Sequence, residues 1–226
     1  MPDLTDYFSL SLPQARDAFY LFRTDTGAGR PALDAAHADL PCKKCGRFDT
    51  RAALARGVTH RPMQKWLDGV TSGELLEAVS DAARAAIDRA APGAVEWFAL
   101  PDGPGHVPYP TRIFDCPPNT PWQKPVAPEV IGETFRVSGH PCKKCDRMRS
   151  VSVRPYWFEP TGEPFDLAAL RGCGSDGNDW FTWLASARVA EALSELRGFT
   201  FTNLRKERTR MLAWHAARAA EGSAET

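Results

Sequence analysis

The chain has 226 residues, and its 28 basic and 28 acidic side chains cancel to a formal net charge of zero. Neutrality argues against a protein that coats nucleic acid through bulk charge, although local patches escape the average. A hydrophobic content of 43% with 25% charged residues belongs to a globular chain and excludes wholesale disorder. No stretch approaches the ~20 apolar residues of a membrane span, and the opening MPDLTDYFSLSLPQ has no basic-then-apolar leader. The expectation is a soluble, cytoplasmic protein in a reducing compartment.

In chain order, residues 1–17 read as an N-terminal extension and 18–23 (AFYLFR) as a strand, broken by Thr26-Gly27-Ala28-Gly29. Next comes Pro41-Cys42-Lys43-Lys44-Cys45-Gly46-Arg47. A helix is expected over 74–91, because Leu75, Leu76, Val79, Ala83, Ala86, Ile87 and Ala90 recur at helical spacing. Thr71 and Glu74 have capping-box spacing, and Pro92-Gly93 supplies the stop. Residues 95–100 (VEWFAL) read as a strand. Residues 101–128 hold nine of the nineteen prolines, so the expectation there is neither regular helix nor central strand. Their apolar content (Val107, Tyr109, Ile113, Phe114 and Trp122) points to an extended segment packed across the domain.

Residues 134–138 lead into Pro141-Cys142-Lys143-Lys144-Cys145-Asp146-Arg147, which repeats six of the seven positions of the first cysteine phrase. Residues 151–158 leave it as a strand interrupted by Pro155, so each cysteine pair is expected on a turn between β segments. Residues 165–170 read as a short helix. The following Gly172-Cys173-Gly174-Ser175-Asp176-Gly177 spells Gly-x-Gly-x-x-Gly in the wrong context for a nucleotide, and is read as a turn. A helix over 186–197, a strand over 199–202 and a C-terminal helix and tail over 203–226 complete an α+β chain. On the last helix Leu204, Met211, Leu212 and Trp214 are expected to face the core, and Arg205, Lys206, Arg208, Arg210 and Arg218 to face water.

A Cys-x-x-Cys turn brings two sulfurs within reach of one tetrahedral metal, and a structural zinc site needs four. Cys42, Cys45, Cys142 and Cys145 supply them as two zinc-knuckle turns joined in one site, with one structural Zn2+ per chain. The 96 residues between the pairs are tolerable, since loop closure grows only logarithmically with length. Lys43, Lys44, Lys143 and Lys144 offset the charge of a tetrathiolate centre. Such a clamp ties residues 1–226 into a single composite domain. Redox dithiols and half-sites completed by histidine compete with this reading. His37 and His60 flank the first pair, but only His140 lies near the second. His37-Ala38-Asp39 ahead of Cys42 lacks the glutamate and the spacing of a zinc deaminase. Cys116 and Cys173 read as unreactive thiols. No other enzyme signature survives inspection, so the expectation is a protein without catalytic residues. Basic residues around the second pair (Lys143, Lys144, Arg147, Arg149 and Arg154) keep a zinc-knuckle nucleic-acid-binding or regulatory protein as the alternative.

The order Tyr20-Leu21-Phe22-Arg23, Cys-x-x-Cys-Gly, helical insert, Pro-rich middle, second Cys-x-x-Cys and Asp179-Trp180-Phe181 resembles the myxobacterial double-CXXCG motif family over roughly residues 18–205. The close, from Ser186-Ala187-Arg188 to Gly198-Phe199-Thr200-Phe201, is similar to that of several immunity-protein families. Position 146 is Asp where the motif has Gly. The resemblance implies an immunity protein that binds and neutralises a cognate bacterial toxin, its fold stapled by zinc. For the partner surface the candidates are Trp122, Trp157, Trp180 and Trp183, because tryptophan is enriched at binding hot spots.

Overall fold

In the computed structural model the described residues are 7–14, 21–24, 32–59, 68–72, 75–101, 103–121, 131–148, 150–160, 162–174 and 177–224. The chain runs β1 (Tyr7–Ser11), β2 (Arg23–Thr24), β3 (Ala32–Leu33), a 3-10 turn (Ala35–His37), α1 (Thr50–Arg56), β4 (Gly69–Thr71) and β5 (Glu77–Val79). It continues through α2 (Asp81–Ala90), β6 (Val95–Ala99), β7 (His106–Pro110), β8 (Ile113–Phe114), β9 (Phe135–Ser138) and β10 (Ser150–Val153). After a 3-10 turn (Pro155–Trp157) come β11 (Leu167–Cys173), β12 (Asp179–Ser186), α3 (Ala187–Leu193), β13 (Thr200–Asn203) and α4 (Leu204–Ala224). The fold is α+β. No helix among these is long and apolar enough to cross a membrane.

The larger sheet has the order β13-β1-β12-β11-β10-β9, antiparallel throughout, with β8 added parallel to β11 through Ala169↔Ile113. The smaller sheet has the order β4-β5-β7-β6, also antiparallel. The main core lies between the two sheets, where Leu10, Leu167, Phe181 and Trp183 from one meet Val79, Val95, Val107 and Tyr109 from the other, with α1, α2 and α3 packed around. On the opposite face of the larger sheet, Tyr7, Leu170 and Leu184 form a second cluster with Phe135, Val137, Phe158 and Leu204. The middle strands are therefore buried on both faces, and β11 reads LAALRGC, a nearly continuous apolar run rather than an alternating one.

That double burial corrects the helix expected over 165–170. A short apolar run has no periodicity to separate helix from strand, and here residues 167–173 pair along their whole length with β12. Gly172 and Cys173 accordingly end a strand, and the chain returns through Gly174 to β12 and not to a helix. Ser175 and Asp176 of that motif lie outside the described residues. The helix expected over 74–91 is shorter, beginning at Asp81. Leu75 has φ of 59°, a left-handed value that ends any helical run, and Glu77, Ala78 and Val79 pair with β4 as a strand. The N-cap is Ser80, whose side chain accepts from Ala83 N–H at 3.1 Å; Glu74 lies outside the described residues.

Two further expectations change. Residues 7–11, within the stretch read as an N-terminal extension, form an inner strand between β12 and β13, with Tyr7 and Leu10 buried on opposite faces. The Pro-rich stretch contains β7, a strand between β5 and β6, although a central strand was excluded there. Pro108 and Pro110 fit because the carbonyl of Gly105 and the amide of Thr111 bond toward the β6 side, which assigns the odd positions to that ladder. The prolines face the β5 side, where β5 pairs only at Val79↔His106, so their missing N–H groups forfeit nothing. The strand expected over 95–100 is present as β6. That expected over 18–23 is described only from Leu21, and Arg23 pairs with Leu33. Residues 155–157 form a 3-10 turn rather than continuing β10.

Candidate metal centre

The second cysteine pair sits at the tip of the β9–β10 hairpin, whose register runs Ser138↔Ser150 to Phe135↔Val153. The first lies between the 3-10 turn at Ala35–His37 and α1, not between two strands as expected. Despite that difference the two turns are built alike. Cys42 N–H donates to the Arg47 carbonyl at 2.8 Å and Gly46 N–H to the Cys42 carbonyl at 2.8 Å. Cys142 N–H donates to Arg147 at 3.0 Å and Asp146 N–H to Cys142 at 2.7 Å. This ring demands a left-handed residue at its fourth corner, and Gly46 (φ 73°) and Asp146 (φ 55°) provide it. Aspartate is among the few non-glycine residues that accept that conformation, so Asp146 keeps the turn intact.

The two turns face each other. Cys42 and Cys142 Sγ are 3.9 Å apart, Cys45 and Cys145 Sγ 3.6 Å, and all four sulfurs lie within 4.8 Å of one another. Four thiolates bound tetrahedrally at about 2.3 Å stand about 3.8 Å apart, so the set fits one metal ion of zinc's size. Among the described residues no other group of three or more potential ligands converges in this way. The backbone prepares the charge. The N–H groups of Lys44 and Cys45 hold the Cys42 thiol below its ordinary value, and those of Lys144 and Cys145 draw Cys142 down to about 6. Burial and then the neighbouring sulfurs push Cys45 up to about 11, as expected where thiolates crowd without a cation. A divalent ion removes that conflict.

Reciprocal contacts reinforce the junction. Arg47 donates through Nη1 to the Met148 carbonyl at 2.6 Å, next to the second turn, and through Nη2 to Asp179. Arg147 reaches back to Asp49 at 3.3 Å, next to the first turn, and Asp49 also caps α1 through Ala52 N–H at 3.0 Å. The Arg47–Asp179 pair is buried, and burial raises the Asp179 carboxyl in spite of Arg47, Arg171 and Arg147 around it. Asp179 N–H in turn donates to Thr50 Oγ1 at 2.9 Å, tying α1 to β12. Gly177, the last glycine of the hairpin motif, packs against the first turn: a Cβ there would meet the Gly46 carbonyl oxygen at 2.4 Å. The first glycine of the motif, Gly172, leaves room for the Trp180 ring opposite. These contacts were not expected from sequence, yet both copies of the cysteine phrase end in arginine, which was the available signal.

The remaining candidates are placed as follows. His37 is fully buried, its Nε2 3.2 Å from the Ala53 carbonyl and 3.1 Å from that of Gly57, where it closes the end of α1 and stands outside the four-sulfur cluster. His60, Arg149 and Trp122 lie outside the described residues. Trp157 and Trp183 are buried at 5% and 3% exposure, and Trp180 is half-buried. Cys173 is buried with Sγ 3.6 Å from the Met148 carbonyl, and Cys116 is half-buried beside Thr120; burial raises both thiols. Lys43, Lys44, Lys143 and Lys144 are all exposed. On α4, Leu204 faces the core as expected, but Leu212 and Trp214 are exposed, because the helix packs mainly through its N-terminal half. Arg208, expected in water, instead clasps the Pro155–Trp157 turn through the carbonyls of Tyr156 and Phe158 at 2.7 and 3.0 Å.

Compared with family models, curated proteins and solved structures, the chain matches none. What the structure does show is the convergence of the two Cys-x-x-Cys pairs on one four-cysteine site.

Proposed function

We propose that this protein is the immunity partner of a bacterial toxin, neutralising it by direct binding, with one structural zinc stapling the scaffold. The observation that carries this reading is the convergence of two near-identical Cys-x-x-Cys turns, remote in sequence, on one four-sulfur site. Four cysteine ligands close the coordination shell, which suits a structural ion and leaves no open position for water or substrate. Cys42, Cys45, Cys142 and Cys145 would hold the ion, which supplies rigidity to a surface that must be ordered before it binds. Of the four tryptophans considered for that surface, Trp180 is the described one that is only half-buried.

Two measurements test the parts separately. Metal analysis of the reduced protein is expected to find one zinc per chain, lost in Cys42→Ser and in Cys142→Ser; none in fully reduced protein sinks the staple. Co-expression with the product of a neighbouring toxin-like reading frame is expected to restore growth. Failure to rescue any such toxin sinks the immunity role while leaving the metal site standing. The four exposed lysines favour a second reading, a zinc-knuckle nucleic-acid binder. That reading predicts binding to single- or double-stranded probes that weakens steeply between roughly 50 and 200 mM salt.

A further inference from the structure

Beside the metal centre, between α1 and the larger sheet, lies a cavity of about 460 Å³, a size within the range of small-molecule sites. None of the four metal-ligating cysteines lines it, so it is a separate site. Four arginines do: Arg47 and Arg147, which close the two cysteine phrases, Arg51 on α1 and Arg171 on β11. Two of them are fully engaged. Arg47 uses both Nη groups on Met148 and Asp179, and Arg51 holds Glu96 through Nε and Nη2 at 2.7 and 3.1 Å. The other two are not. Arg147 makes one contact, 3.3 Å to Asp49. Arg171 Nε stands 3.1 Å from Asp115 but is not aligned to donate to it, so its guanidinium completes no hydrogen bond among the described residues. Both side chains keep about a third of their surface open, 37% and 33%. Tyr109 adds a third donor. The charges that act on its hydroxyl are Arg171, Asp179, Asp49 and Arg51, which all line the cavity, and this places the hydroxyl there. Burial holds the phenol above its ordinary value, so it keeps its proton.

We propose that this cavity binds a small organic molecule by a carboxylate or phosphate group, held between Arg147, Arg171 and the Tyr109 hydroxyl. A guanidinium presents paired N–H donors that match two oxygens of such a group, and these two arginines have donors left over. Within the cavity four arginines face three aspartates, while Glu96, the partner of Arg51, lies outside it. Asp179 is already neutralised by Arg47. Asp49 and Asp115 are exposed and hold their arginines by single contacts, pairs weak enough to give way to a bidentate ligand. Ala52, Ala55, Met148 and Val151 form the apolar part of the lining, where the carbon skeleton of the ligand packs.

The test is an NMR titration of the isotope-labelled, zinc-loaded full chain with succinate, phenyl phosphate and inorganic phosphate, with uncharged succinamide as the control. Succinate or phenyl phosphate is expected to shift the Arg171 Nε–H and the amides of 147–148 and 171–173 saturably, and succinamide to leave them in place. Saturation by succinate assigns a carboxylate and saturation by phenyl phosphate a phosphate, and either supports the site. Inorganic phosphate binding as tightly as phenyl phosphate overturns the role of the organic skeleton. Arg147→Gln and Arg171→Gln are each expected to weaken binding about tenfold or more, against no change in Arg210→Gln, which removes a cation from α4. Should a cavity variant not fold, Tyr109→Phe deletes only the hydroxyl and is expected to weaken binding about fivefold; unchanged affinity there overturns the proposal. So does the absence of any saturable shift in wild type, a response to succinamide equal to that to succinate, or equal affinity in the three arginine variants.

Discussion

Gly46 and Asp146 occupy the same corner of two near-identical turns, and the backbone there is left-handed in both. No side-chain atom would be met at Gly46, so Gly46→Ala pays only the conformational penalty, about 1 kcal/mol. Asp146→Gly is expected to retain the metal and to be neutral or stabilising by a few tenths of a kcal/mol. Urea unfolding of the two variants checks both signs. The arginines that follow show how burial sets the value of one motif position. Arg47 is 5% exposed and bound to a buried carboxylate, so Arg47→Ala is expected to cost about 3–5 kcal/mol by stranding Asp179. Arg147 meets Asp49 at the surface, and Arg147→Ala is expected to cost less than about 1 kcal/mol. Similar losses from both would contradict the asymmetry.

Among the elements, α2 shows what the sequence could and could not disclose. Its core side, Ala83, Ala86, Ile87 and Ala90, is buried where the periodicity places it. Its start is not, because Leu75 and Leu76, in the turn before β5, and Val79, in β5, continue the helical spacing by coincidence. Ser80 is the physical boundary, and Ser80→Ala is expected to cost about 1 kcal/mol in thermal unfolding, whereas Thr71→Ala leaves the helix unaffected. β11 was hidden for a different reason: a strand covered on both faces loses the alternation by which strands are recognised. β7 was hidden by its prolines, whose tolerance depends on which neighbour each backbone N–H would have addressed. The cysteine cluster was legible because its ligands carry their own chemistry at fixed spacing. The arginine clasp was not, because charge pairs depend on which loops meet. At the far end of the chain, Arg208→Ala is expected to loosen α4 from the Pro155–Trp157 turn, seen as faster amide exchange along residues 204–212.

For the molecule as a whole, the metal centre and the apolar core sit in different places. The cluster between the sheets draws on α1, α2, α3 and strands of both sheets and contains none of the four ligands. Chelation is therefore expected to leave amides of β11 and β12 protected while those of residues 40–49 and 139–148 exchange faster; global loss of protection would show that the core depends on the ion. Timing adds a consequence. Cys42 and Cys142 are 100 positions apart in the chain. At a synthesis rate of about 5–20 residues per second, the first turn waits on the order of 5–20 s before its counterpart is made. In that interval it is a two-sulfur half-site, a poor zinc ligand set and the stage at which a Cys42–Cys45 disulfide competes. The strands of the smaller sheet, all encoded before residue 111, are complete by then. An ion held by all four sulfurs can bind only after the smaller sheet has been made, so a zinc shortage during growth is expected to be felt by chains whose smaller sheet has already emerged.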